Sequence, residues 1–164
     1  MSPILEGAID KAPETLTGDQ SLTSTPVYFA GPIDYVEHRS PKNHSTDNWR
    51  HRFFGDMPIE MLCPTCLNEH SENWQQVMSV NRDATNKAHI MVAFFPGDVA
   101  TFGTPIEVWE WMIWRSHTRR RPACLIHPVR HGAYVQMLEE QGLVIVRDFE
   151  EARAWLRRQL TERL

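Results

Sequence analysis

The chain has 164 residues, 41% of them hydrophobic and 23% charged, an ordinary globular composition that excludes a fibrous or wholly disordered chain and fits a single domain. Lys plus Arg number 17 against 21 Asp plus Glu, a formal net charge of -4, which argues against a main role in gripping nucleic-acid phosphates or an anionic membrane surface. The longest strongly apolar run, Ile90 to Phe95, falls far short of the ~20 residues of a membrane helix.

Residues 1–26 are rich in Ser, Thr, Pro, Gly and acidic side chains and show no apolar periodicity. Such a segment buries too little surface to offset its ordering entropy and reads as a flexible arm. With Glu6 and Asp10 and no long apolar stretch, it does not read as a secretory signal. The folded unit is expected over 27–164. Val27 to Ala30, ended by Gly31-Pro32, predicts a buried first strand. Trp49, Phe53, Phe54 and Met57 have helical spacing, and Ile59 to Cys63, stopped by Pro64, predicts a second strand. Trp74, Val77 and Met78 suggest a helix with Ser71 as its N-cap. Ile90 to Phe95, ended by Pro96-Gly97, is the clearest strand of all.

The helix that follows has a legible start. Thr104 stands at the N-cap, Pro105 at the first helical position and Glu107 three residues after the cap. Ala123 to Ile126 and Leu143 to Val146 predict the fourth and fifth strands, with a short helix over Tyr134 to Leu138 between them. Asp148 caps a last helix whose apolar stripe is Phe149, Ala152, Leu156, Leu160 and Leu164. Strand and helix alternate throughout, so the predicted fold is α/β: a flavodoxin-like or Rossmann-like five-stranded parallel sheet with helices on both faces. The order 2-1-3-4-5 puts the ligand crevice at the carboxyl ends of the first and third strands.

Two segments meet at that crevice: Tyr28 to Asp34 and Pro96 to Glu107. Their small and turn-forming residues let a ligand approach the backbone closely. A carboxylate in the first turn of a helix feels the positive end of the dipole, so Glu107 is expected to stay ionised at neutral pH, suited to capturing a developing cation. The same Thr-x-x-Glu pattern is also a capping box, in which the Glu does no more than start the helix. Tyr28 likewise has two readings, a strand aromatic filling the core or a polar handle in the site.

On the Tyr28-Phe29-Ala30-Gly31 and Gly103-Thr104-Pro105-Ile106-Glu107 segments, the chain resembles the nucleoside 2-deoxyribosyltransferase superfamily, which includes N-glycosidases of nucleoside 5'-monophosphates. The order of elements matches over most of the domain, and the specific motifs lie in these two loops. The resemblance implies that Glu107 is a nucleophile forming a covalent glycosyl-enzyme intermediate, with the logic of retaining glycosidases. It implies that Tyr28 orients that nucleophile. It also calls for an acid near the leaving base, for which Asp83 is the candidate, although Asn81 sits closer to the family position. For substrate, Thr101 permits a phosphate where the nucleoside-specific transferases carry an Asp. Asp34, where the monophosphate hydrolases carry an Arg, has the wrong sign for one. Gly31, Pro32, Ile33, Asn81, Asp98, Phe102 and Gly103 complete the expected binding loops. Asp98 is read either as a contact to a sugar hydroxyl or as a loop Asp making its own turn.

Other signals weigh less. Cys63-Pro64-Thr65-Cys66 with His70 has the look of a metal knuckle, but the chain's three cysteines offer no second pair to complete four ligands, so chance placement is the better reading. A redox role is no better supported, and so low a cysteine count points to a reducing compartment. Arg119 to Arg121, after Arg115, fit the carboxyl end of a helix better than a nucleic-acid surface. The helix around Val108, Trp109, Trp111, Met112, Ile113 and Trp114 is apolar nearly all round, which core packing explains on one face only. A subunit interface is expected there. By family position Gln136, or else Arg130 or His131, reaches the substrate from the partner of a homodimer or higher homo-oligomer.

The expectation is therefore a cytoplasmic enzyme that cleaves or transfers the N-glycosidic bond of a nucleoside or nucleoside 5'-monophosphate. It needs no metal or organic cofactor, no nucleic acid and no membrane. The rival is a nucleotide-sensing module on the same fold, without turnover.

Overall fold

The computed structural model describes residues 24–32, 48–96, 103–116, 121–128 and 132–162. Strand β1 (Thr25–Ala30) lies between β2 and β3 in a five-stranded, all-parallel sheet of order β2-β1-β3-β4-β5, with β2 at Ile59–Leu62, β3 at Ile90–Phe94, β4 at Ala123–Ile126 and β5 at Val144–Val146. This is the expected α/β architecture and the expected strand order. The strand begins two residues before the predicted start, because Thr25 and Pro26 already pair with Ile59 and Glu60.

Parallel strands need crossovers, and helices supply them. Helix α1 (Trp49–Phe54) precedes β2, the short α2 (Pro64–Leu67) and α3 (Trp74–Lys87) lead to β3, α4 (Gly103–Ser116) to β4 and α5 (Ala133–Glu140) to β5, and α6 (Phe149–Thr161) closes the described chain. No helix among the described residues is long and apolar enough to cross a membrane. Successive side chains of a strand point to opposite faces, and β1 divides its residues accordingly. Val27 and Phe29 join Trp49, Phe54, Trp155 and Leu156 on the face covered by α1 and α6. Tyr28 and Ala30 join Ala84, Val108, Trp111 and Leu138 on the face covered by α3, α4 and α5.

The last helix follows its sequence closely. Asp148 accepts from the Glu151 N–H at 2.8 Å, the capping bond its position predicts. Ala152 and Leu156 are fully buried, Trp155 joins them, and Phe149 and Leu160 pack at the margin. Leu164 lies outside the described residues. At the end of α5, Gly142 takes φ 94°, a left-handed conformation that glycine adopts without steric penalty, and the chain turns directly into Leu143.

Helix α3 departs from its prediction. Its N-cap is Asn73, whose side chain accepts from the Gln76 N–H, and not Ser71. Its expected apolar face does not enter the core: Trp74 is 70% exposed and Met78 51%. Within α3 the buried residue is Ala84. Helix α2 had no counterpart in the sequence reading, since four residues hold too little periodicity to register. In α4, Val108, Trp111 and Met112 are buried whereas Ile106 and Trp109 remain exposed, so the sheet takes one face and leaves an apolar remainder. Arg121 reaches across to the end of α3, donating to the Asn86 and Ala88 carbonyls. It thus serves a neighbouring helix's carboxyl end, where its own helix was the expected one.

Candidate active site

The carboxyl ends of β1 and β3 lie side by side, with Ala30 opposite Ala93, and the chain leaves them towards opposite faces of the sheet. That is the switch point at which open parallel sheets bind ligands. Tyr28 stands one turn of the pleat below the end of β1, pointing to the α4 side, and Glu107 projects from the start of α4 towards it. The Tyr28 hydroxyl donates to Glu107 Oε1 at 2.8 Å. The carboxylate therefore faces the sheet. Helix α4 begins at Gly103, so Glu107 lies just past the first turn; the capping-box reading does not describe where its side chain goes.

A third residue meets this pair from α3. Asn68, on the turn after α2, donates to Asn81 Oδ1 at 2.7 Å. With its oxygen so occupied, Asn81 presents its NH2 group to Glu107 Oε1 at 3.5 Å. Tyr28, Asn81 and Glu107 are thus brought together, whereas the sequence reading grouped Tyr28 and Glu107 with Asp83 and placed Asn81 only among the binding residues. Asp83 is not among them. It lies two residues beyond Asn81, some 200° round the helix, and its side chain is exposed. Asn81, and not the nearby acid, stands beside the carboxylate.

Electrostatics bear on one further expectation, the ionisation of Glu107. Burial raises the Glu107 pKa above its ordinary 4.5, and Glu110 adds to the rise, while the Tyr28 hydrogen bond and the Arg50 charge pull it back. Burial therefore acts against the ionised form that the helix start was expected to favour. Tyr28 is driven the same way, by burial first and by the Glu107 charge second. It stays a phenol and a donor.

Arg50 is the residue the sequence reading missed. It is 1% exposed, donates to the Phe29 carbonyl at 3.0 Å and the Gly31 carbonyl at 2.9 Å, and stacks 4.6 Å from the Trp49 ring centroid. An isolated buried guanidinium is costly, so its carbonyl partners and ring contact matter. They fix the end of β1 beneath the site and leave a positive charge within reach of Glu107 and Tyr28. Nothing in Trp49-Arg50-His51-Arg52 distinguishes the buried arginine from the exposed one. Gly31 is needed for a reason other than the one expected. A Cβ there would meet the Trp49 ring at 2.6 Å, so an indole, and not a ligand, occupies the space. Trp49 Nε1 is buried with no hydrogen-bond partner among the described residues.

Of the other expected binding residues, Pro32 is buried behind Gly31, and Gly103 opens α4 with free space in front of its Cα. Gln136 is exposed on α5. Its helix is tied to the site by a residue not anticipated, Tyr134, whose hydroxyl donates to the Pro105 carbonyl at 2.7 Å. Ile33, Asp34, Asp98, Thr101, Phe102, Arg130 and His131 lie outside the described residues. Comparison with protein-family models returned no match for the chain, and comparison with curated proteins returned none either.

Proposed function

We propose that the protein cleaves or transfers the N-glycosidic bond of a nucleoside or nucleoside 5'-monophosphate, with Glu107 as nucleophile. The observation that carries the proposal is the 2.8 Å bond from Tyr28 to Glu107 Oε1 at the switch point. A carboxylate held by one phenol, flanked by an amide and supported from below by a buried arginine, is restricted to a narrow range of positions. Such restriction is what attack on a sugar carbon requires. In the first displacement a Glu107 oxygen bonds to C1' as the bond to the base breaks. In the second, water or another base attacks C1' and frees the carboxylate.

Glu107 must be ionised to attack. Tyr28 and Arg50 act in that direction against burial, and their role is to keep the carboxylate usable in a site dry enough for the intermediate to persist. The expected acid, Asp83, is exposed on the other side of α3, so it is withdrawn as proton donor to the leaving base. That same observation favours a second reading, a nucleotide-sensing module that binds without turnover. The exposed Ile106 and Trp109 on α4 support assembly into a homodimer or larger homo-oligomer through that face.

Incubation with a panel of nucleosides and nucleoside 5'-monophosphates, with chromatographic detection of free base, separates the two readings. Base release from at least one member is expected. Binding of a panel member with no base released would support the sensor instead.

A further inference from the structure

Outside the proposed site, the fold gathers three metal-ligating side chains. His51 of α1, Cys63 at the end of β2 and Cys66 of α2 bring one ligand atom each to within 4.8 Å of one another. His51 Nε2 and Cys66 Sγ are 3.1 Å apart. The cluster differs from the one the sequence pattern suggested, because His70 is exposed and its place is taken by a histidine twelve residues before the first cysteine. Spacing alone could not find it: α1 and the β2–α2 turn meet only once the sheet forms.

We infer that His51, Cys63 and Cys66 form a zinc site with one coordination position left to solvent. Two sulfurs and an imidazole nitrogen are the donor set a thiophilic, borderline-soft cation prefers over hard cations such as magnesium. Tetrahedral zinc bonds of about 2.0–2.3 Å put neighbouring ligand atoms roughly 3.5–3.8 Å apart, so the separations need adjustments of no more than about 1.3 Å. Cys63 already has the surroundings of a ligating sulfur. The Asn48 amide donates to its Sγ at 3.4 Å and to Thr65 Oγ1 at 3.2 Å, and Thr65 Oγ1 lies 3.3 Å from the same Sγ. Outer hydrogen bonds of this kind orient a ligand and are a regular part of metal centres. Asn48 is itself anchored as the N-cap of α1, so one residue sets both the helix that carries His51 and the sulfur it faces. Cys63 is buried while His51 and Cys66 are half-buried, which leaves a path for the ion and for a water in the fourth position. Two thiolates balance the charge of Zn2+, so the loaded centre is neutral and tolerates Arg50 next to His51.

The test is metal binding by the full chain, which does not depend on the proposed activity. Anaerobic titration of the reduced protein with Co2+ should give thiolate-to-metal charge-transfer and tetrahedral d–d bands that saturate at about one equivalent and are displaced by Zn2+. The variants C66S and H51A, both at half-buried positions, should keep the native circular dichroism and weaken binding by at least about a hundredfold. H70A should bind like wild type. The inference is overturned by an absence of thiolate bands, by bands of wild-type intensity and affinity in C66S, or by binding lost in H70A. It is equally overturned if protein isolated anaerobically without reductant carries Cys63 and Cys66 as a disulfide.

Discussion

The two faces of the sheet use the same strand for opposite purposes. On the α1 and α6 side, Phe29 meets Phe54 at 4.9 Å, Trp49 meets Phe94 at 5.4 Å and Phe53 stacks on Phe149 at 4.0 Å. These rings bury large apolar area and leave little polar work to do. On the α3 and α4 side, Tyr28 comes from the same β1, but its hydroxyl carries a polar chain to Glu107, Asn81 and Asn68. A buried polar chain fixes geometry at the expense of stability. The aromatic face stabilises the fold so that the other face can hold a desolvated carboxylate.

Substitutions on each side should separate these roles, and the largest effect is expected at Glu107. E107Q should reduce base release on the order of 10⁴-fold, as removal of a covalent nucleophile does, while raising the melting temperature. The sign follows from the raised pKa. Between the ordinary carboxyl value and the raised one, the folded chain holds a proton the unfolded chain has released. The group's contribution is therefore full at low pH and is lost as pH climbs through the folded value. The thermal advantage of E107Q over wild type should then widen as pH rises from the ordinary carboxyl value through the raised one and level off above it; an advantage that narrows would mean the carboxyl is not held high. Next comes the opposite face. Leu156→Ala, at a position fully buried in α6, should lower unfolding free energy in urea by about 2–5 kcal/mol and leave turnover per folded molecule unchanged.

Tyr28→Phe sharpens the comparison, since it keeps the ring and deletes only the donor. Loss of a hydrogen bond to a charged group, about 1.5–3 kcal/mol, should slow turnover roughly ten- to hundredfold. It should also move the acid limb of the pH–rate profile upward, because the Tyr28 bond lowers the Glu107 pKa. A slower enzyme with an unmoved limb would make Tyr28 a packing residue. The smallest effect belongs to Asp83. D83N should change turnover by less than about twofold, as expected of an exposed side chain away from the site; a large loss would restore it as the proton donor.

The aromatic face was the more legible in the sequence. The stripe of α6, the Asp148 cap and the runs of β1, β3 and β4 are local patterns, and the sheet order followed from their alternation. The Tyr28–Glu107 pair was legible through its two motifs, and the rival capping-box reading of Glu107 does not describe where its side chain goes. Arg50, Asn68 and His51 were not legible. Each owes its role to contacts across 12 or more residues, which no local pattern reports: the period of α1 marks its apolar residues and not Arg50 or His51. Helix α3 misled for a related reason: Trp74 and Met78 have helical spacing, but the residue that faces the site is the polar Asn81.

The most direct measurement is mass spectrometry of the intact protein, acid-quenched during turnover of a substrate found in the panel, followed by peptide mapping. The account predicts an adduct of one sugar or sugar phosphate on the peptide containing Glu107, absent in E107Q. Steady base release with no adduct on that peptide, undiminished in E107Q, would contradict it.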